Sequence, residues 1–168
     1  MSQPENLLSG PVRDEINSWI AKYPADQQQS AVMAALRIVQ DANGGYLTQA
    51  LMDAVADYLA MPPIAVYEVA TFYSMYELKP VGKHKICVCT NISCLLNGSD
   101  QVVQHLTQKL GIGLGETTAD QRYTLKEVEC LGACCNAPVM QISRQYYENL
   151  TPAKIDQILA DLDQESGT

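Results

Sequence analysis

The chain lacks any long apolar run. Its longest unbroken stretch, Ala31 to Leu36, is far shorter than the roughly 20 residues a membrane-spanning helix needs. The first ten residues carry no basic residue and no sustained apolar segment, which argues against a signal peptide. The sequons at Asn91, Asn97 and Asn149 are therefore read as chance matches, and the chain as cytosolic. Positive charge is scarce: 11 Lys and Arg stand against 19 Asp and Glu, a formal net charge of −8 over 168 residues. A nucleic-acid binder needs clustered positive charge, so that class is excluded. There is no phosphate loop. Gly111-Ile112-Gly113-Leu114-Gly115 lacks the dinucleotide-binding spacing and follows a helical segment, so it reads as a turn. No C-x2-C pair occurs, which argues against a thioredoxin-type disulfide reductase. Only two histidines exist. His105 reads as solvated, and His84 lies close enough in sequence to Cys87 to be weighed as a minor metal-ligand candidate. Residues 1 to 86 contain no cysteine.

The cysteine-free half reads as four helices. Val12, Ile16, Trp19, Ile20 and Tyr23 recur at helical spacing before Pro24. Val32, Ala35, Leu36 and Val39 form a second stripe, ended by Asn43-Gly44-Gly45. Thr48 is placed as N-cap of a third helix carrying Leu51, Val55 and Leu59. Pro63 opens a fourth at its first position, with Val66, Val69, Ala70 and Tyr73 on one face. The run from Phe72 to Tyr76 reads as core or interface. Short helices with short connections predict a four-helix bundle over residues 1–80.

Pro80-Val81-Gly82 reads as a linker, after which the periodicity changes. Lys83 to Cys89 is a predicted strand. Ser99 is placed as cap of a helix carrying Val102, Leu106 and Leu110, which Gly111 ends. Tyr123 to Val128, Val139 to Ile142 and Tyr146-Tyr147 are further strands. Thr151-Pro152 opens a last helix with Ile155, Ile158, Leu159 and Leu162. The fold class is thus α+β: a helical domain followed, over residues 81–168, by a small sheet covered by helices.

All six cysteines fall in this second half, in two groups: Cys87, Cys89 and Cys94, then Cys130, Cys134 and Cys135. In a cytosolic chain such a set points to metal rather than disulfides. Two local pairs joined by a long gap are what a four-thiolate site needs. Structural zinc favours tighter C-x2-C knuckles, whereas Cys89 to Cys94 is C-x4-C and Cys130 to Cys134 is C-x3-C. The wider spacing favours a two-iron, two-sulfide core over zinc. Spacing does not by itself choose the ligands. Cys134 and Cys135 are adjacent and unsuited to serve one cluster together. Cys89 lies nearer the strand end than Cys87. Those arguments make Cys87 and Cys135 the expected spectators. Gly132 allows close backbone approach, and the N–H groups of Gly132 and Ala133 are candidate donors to the sulfurs.

Asp120-Gln121-Arg122-Tyr123-Thr124, five residues, and then Cys130-Leu131-Gly132-Ala133-Cys134-Cys135-Asn136-Ala137-Pro138 resembles the signature of the small iron–sulfur subunits of respiratory NADH:quinone oxidoreductases. Cys89-Thr90 through Ser93-Cys94 with Asn97-Gly98, and Glu68-Val69-Ala70-Thr71-Phe72-Tyr73, are similar to two further segments of that family. The resemblance runs from about residue 12 to 163. Tyr123 departs from it, standing where the family usually has Phe, and Cys135 is an additional thiol. The resemblance implies a thioredoxin-like second domain with one [2Fe-2S] cluster on Cys89, Cys94, Cys130 and Cys134. It implies a non-catalytic subunit that exchanges single electrons with the FMN of a partner subunit. That partner would also bind NADH, and other peripheral-arm subunits would adjoin it at the cytoplasmic face of a membrane. Equivalent subunits of NAD-linked hydrogenases or formate dehydrogenases are the nearest alternative. A soluble thioredoxin-fold ferredoxin and a zinc-stabilised interaction module are more distant ones.

Overall fold

The structure, a computed structural model, describes residues 7–165. The chain divides into two compact units between Val81 and Gly82. Among the described residues no helix is long and apolar enough to cross a membrane.

The first unit contains α1 (Gly10–Ile20), a 3-10 turn (Gln28–Ala31), α2 (Val32–Ala42), α3 (Gln49–Tyr58) and α4 (Pro63–Phe72). Its core gathers one stripe from each helix: Ile16, Leu36 and Val39, Val55, and Val66 with Ala70. These are the apolar positions that helical spacing places on one face. Thr48 caps α3 as expected, its hydroxyl accepting from the Leu51 N–H at 3.3 Å. Gly44 and Gly45 take left-handed backbone after α2, and the Gly45 N–H closes onto the Gln40 carbonyl at 2.8 Å. Two sequence expectations shift. The first helix ends at Ile20 rather than continuing to Tyr23, whose side chain is exposed. The aromatic run splits: α4 stops at Phe72, which is 80% exposed, whereas Tyr76 is buried with its hydroxyl on the Met33 carbonyl.

The second unit contains β1 (His84–Cys89), α5 (Ile92–Leu96), α6 (Ser99–Leu110), β2 (Tyr123–Val128), a 3-10 turn (Cys134–Asn136), β3 (Met140–Ile142), β4 (Gln145–Tyr147) and α7 (Pro152–Glu165). The sheet order is β2-β1-β3-β4. β1 and β2 are parallel, joined by the α5–α6 crossover that such a pair requires. β3 and β4 complete an antiparallel edge. Alternation along β1 sends Ile86 and Val88 into a core with Val102 and Leu106 of α6 and Ile155 and Leu159 of α7. Cys87 and Cys89 therefore occupy the opposite face.

Gly82 enters this unit under a tight constraint. A Cβ there would lie 2.8 Å from the Tyr123 carbonyl carbon, and its N–H bonds the Thr124 hydroxyl at 2.7 Å. Ser99 is not the cap of α6 but its first residue. Gly98, at φ +89°, holds the cap position, a conformation strained for any residue with a Cβ. The short helix α5 has no counterpart in the sequence reading: five residues are too few to show a period.

Candidate metal centre

The first ligand stretch is built by the end of β1 and by α5. Cys89 is the last residue of the strand, locked by its N–H on the Val139 carbonyl at 3.1 Å. Asn91 then turns the chain, its side chain accepting from the Ile92 N–H at 2.8 Å. The turn of helix that follows brings Cys94 back beneath Cys89. Both thiols are buried, each 2% exposed. The Cys89 thiol reaches the Glu129 carbonyl at 3.5 Å.

The second stretch leaves β2 at Val128. Gly132, at φ +75°, reverses the chain so that its own N–H points back at the Cys130 sulfur, 3.4 Å away. Cys134 follows at the start of the 3-10 turn, with its sulfur 3.9 Å from that of Cys130. Both are solvent-exposed.

The fold brings the two pairs together. Cys134 lies close enough to Cys89 and Cys94 for its charge to bear on both. Cys89 and Cys94 share a small apolar cluster with Val139, packed by Val128, Leu131, Ala133 and Ala137. Burial, with the Cys89 hydrogen bond second, pushes the Cys94 thiol up to about 11. The Cys134 thiol is also raised, chiefly by its hydrogen bond and charge interaction with Cys130. Cys94 and Cys134 are thus held toward the neutral thiol by burial and by their thiol neighbours, an opposition that a cationic group bound between the pairs would reverse.

A backbone donor, the Gly132 N–H, faces the Cys130 sulfur. Gly132 was expected from sequence. Cys87 sits two residues back on β1 and Cys135 one residue on. Neither joins the buried Cys89–Cys94 cluster. His84 is buried with its ring against Tyr123, centroids 5.6 Å apart.

This donor set suits a binuclear centre. Among the described residues no group of three Cys, His, Asp or Glu side chains is placed to hold one ion. Two sulfur pairs, each in internal contact, instead offer two thiolates at each end of a two-iron core.

The comparisons agree with that class. A family model described as thioredoxin-like [2Fe-2S] ferredoxin matches residues 16–163, and the chain belongs to that family. It is 51% identical over 140 residues to the E subunit of the NADH-quinone oxidoreductase of Rickettsia conorii, covering 83% of this chain and 84% of that one. It is 41% identical over 155 residues to the mitochondrial NADH dehydrogenase [ubiquinone] flavoprotein 2 of Dictyostelium discoideum, covering 92% of this chain and 60% of that one. The crystal structure of an NAD+-reducing [NiFe]-hydrogenase in the H2-reduced state shares the fold, with a TM-score of 0.68 at 22% identity. That match covers 79% of this chain and 22% of the hydrogenase chain.

Proposed function

We propose that this chain is the electron-transfer component of an NADH:quinone oxidoreductase, with Cys89, Cys94, Cys130 and Cys134 as the ligands of one [2Fe-2S] cluster. The observation that carries this reading is the meeting of two thiol pairs from stretches about 40 residues apart, in a chain half-identical to an NADH-quinone oxidoreductase relative. When bound, the cluster supplies one-electron exchange, here with the FMN of a partner subunit that also binds NADH.

The chain's own residues do three things. The four thiols fix the core at both ends. Leu131, Ala133, Val128 and Val139 keep water from the buried pair. The Gly132 N–H on the Cys130 sulfur stabilises the negative charge that arrives with the electron. No general acid or base is needed, since electron exchange at this site breaks no bond to hydrogen. The chain is not catalytic alone.

The domain division we propose is a four-helix bundle over residues 1–80 and the cluster-bearing thioredoxin-like domain over 81–168. Other peripheral-arm subunits of the same complex would contact it at the cytoplasmic face of the membrane. The hydrogenase fold match keeps an equivalent subunit of an NAD-linked hydrogenase or formate dehydrogenase as the second reading.

Anaerobically purified protein tests the first reading. It should be brown, hold two irons and two sulfides per chain and give an EPR signal on reduction. It should also co-elute with the flavin subunit of a quinone-linked complex. A colourless chain with one zinc would overturn the cluster. Co-elution with a hydrogenase flavin subunit alone would establish the second reading.

A further inference from the structure

Two consecutive thiols, Cys134 and Cys135, open the 3-10 turn Cys134–Asn136, and both are exposed. Of the two, Cys134 has its sulfur against that of Cys130, 3.9 Å away. We infer that Glu148, whose carboxylate grips the last residue of this turn, is a positioning residue that selects Cys134 over Cys135 as the cluster ligand.

The selection is rotational. A 3-10 turn has about three residues per revolution, so neighbouring side chains project about 120° apart. The phase that sets the Cys134 sulfur against Cys130 therefore swings Cys135 a third of the way round. A rotation of that size would exchange one thiol for the other, and the two side chains are chemically identical.

The contacts at the end of the turn oppose that rotation. The Asn136 N–H closes the turn on the Ala133 carbonyl at 3.0 Å. Asn136 is then held twice from the segment between β4 and α7. Its side-chain amide donates to the Glu148 carboxylate at 2.7 Å, and its carbonyl accepts the Asn149 N–H at 2.7 Å. Asn149 has a φ of +48°, a left-handed backbone that Asn tolerates. The holding segment is itself tied down. Lys154 Nζ of α7 donates to the Glu148 carbonyl at 2.6 Å, and the N–H of the buried Leu150 donates to the Pro138 carbonyl at 3.1 Å. Glu148 is half-buried, and its bond to Asn136 has a charged acceptor, the stronger kind.

The test uses full-length chains loaded with iron and sulfide without oxygen, with iron and sulfide counts and EPR of the reduced protein. Cys134→Ala removes the selected thiol and leaves no oxygen to stand in for it. That chain should hold little iron, because the grip on Asn136 keeps Cys135 turned away. Adding Glu148→Ala should raise its iron about fivefold, the equivalent of one net hydrogen bond, with an EPR signal shifted from the native one. Adding Cys135→Ala as well should abolish that signal. Asn136→Ala should act like Glu148→Ala, whereas Glu148→Gln, which keeps an acceptor, should restore nothing. A merely structural role would lower the iron of every chain and create no dependence on Cys135. Iron restored by neither Glu148→Ala nor Asn136→Ala would overturn the inference. So would a shifted, Cys135-dependent signal in Cys134→Ala with Glu148 intact. The inference rests on Cys134 being a ligand. Failure of that premise would show separately, as a native signal that survives Cys134→Ala and is bleached by Cys135→Ser alone.

Discussion

The sulfurs of Cys130 and Cys134 lie 3.9 Å apart, joined by the reversal at Gly132 that also points an N–H at the first of them. That separation is a contact between two unbonded thiols and matches the spread of two ligands on one tetrahedral metal. It gives the spacing C-x3-C a physical meaning: three intervening residues, one with left-handed backbone, turn the chain tightly enough to present both sulfurs on one side.

Each of Cys89→Ser, Cys94→Ser, Cys130→Ser and Cys134→Ser should abolish the native EPR signal of reduced protein. Cys87→Ser and Cys135→Ser should leave the signal and the iron content nearly unchanged. Iron analysis and EPR of the six variants decide the ligand set. A bleached Cys135→Ser beside an intact Cys134→Ser would reassign it.

Gly82→Ala should destabilise the second unit. The new methyl would lie 2.8 to 2.9 Å from backbone atoms of Arg122 and Tyr123, which cannot move without dragging β2. Overpacking of this kind costs about 2 kcal/mol. Urea unfolding should register that loss with little change in slope.

Gly132→Ala should behave differently. A Cβ there meets nothing within 4 Å, so only the φ of +75° is at issue. The strain is about 1 to 2 kcal/mol for a residue with a Cβ. The variant should fold, yet lose its cluster faster to a chelator. Gly132→Asn should lie between the two, because Asn tolerates left-handed backbone.

Tyr123 predicts an alkaline effect. It is buried, and its hydroxyl donates to the Asp163 carboxylate at 2.5 Å, where Arg122 also bonds at 2.7 Å. Burial first, then that hydrogen bond, pushes the phenol from 10.0 to about 12. A raised folded pKa gives stability that is fully present below pH 10.0 and is lost as pH rises through about 12. Tyr123→Phe should therefore cost about 1 kcal/mol at neutral pH. Its disadvantage should shrink above pH 10.0 and disappear past about 12, which paired urea titrations at neutral and alkaline pH would show.

The cluster should have a low potential. The chain carries a net charge of −8, and reduction adds another negative charge to a thiolate-ligated core. A titration should place the midpoint below that of the standard hydrogen couple, and a clearly positive value would contradict the assignment.

The candidate ligands could be proposed from the sequence because their signals are local. The spacing of Cys89 with Cys94 and of Cys130 with Cys134 marks two chelating loops. Gly132 between the latter marks a reversal that only glycine makes freely. The strand Tyr123–Val128 and the helix opened by Thr48 were read from alternation and capping, both properties of a few neighbouring residues. Ser99 was misplaced by one position because the cap is a left-handed glycine, which competes with serine for that role.

What sequence alone determined was the chemistry available: six thiols in two groups, an acidic composition, and helices followed by a sheet. The tertiary structure decided which groups meet. β1 pairs in parallel with β2, so the ends of those two strands lie side by side and carry Cys89 and Val128 to the same edge. The loops that leave that edge then converge on Val139. No local pattern encodes that convergence. It depends on strand register and on a five-residue helix, which exist only once distant segments have packed.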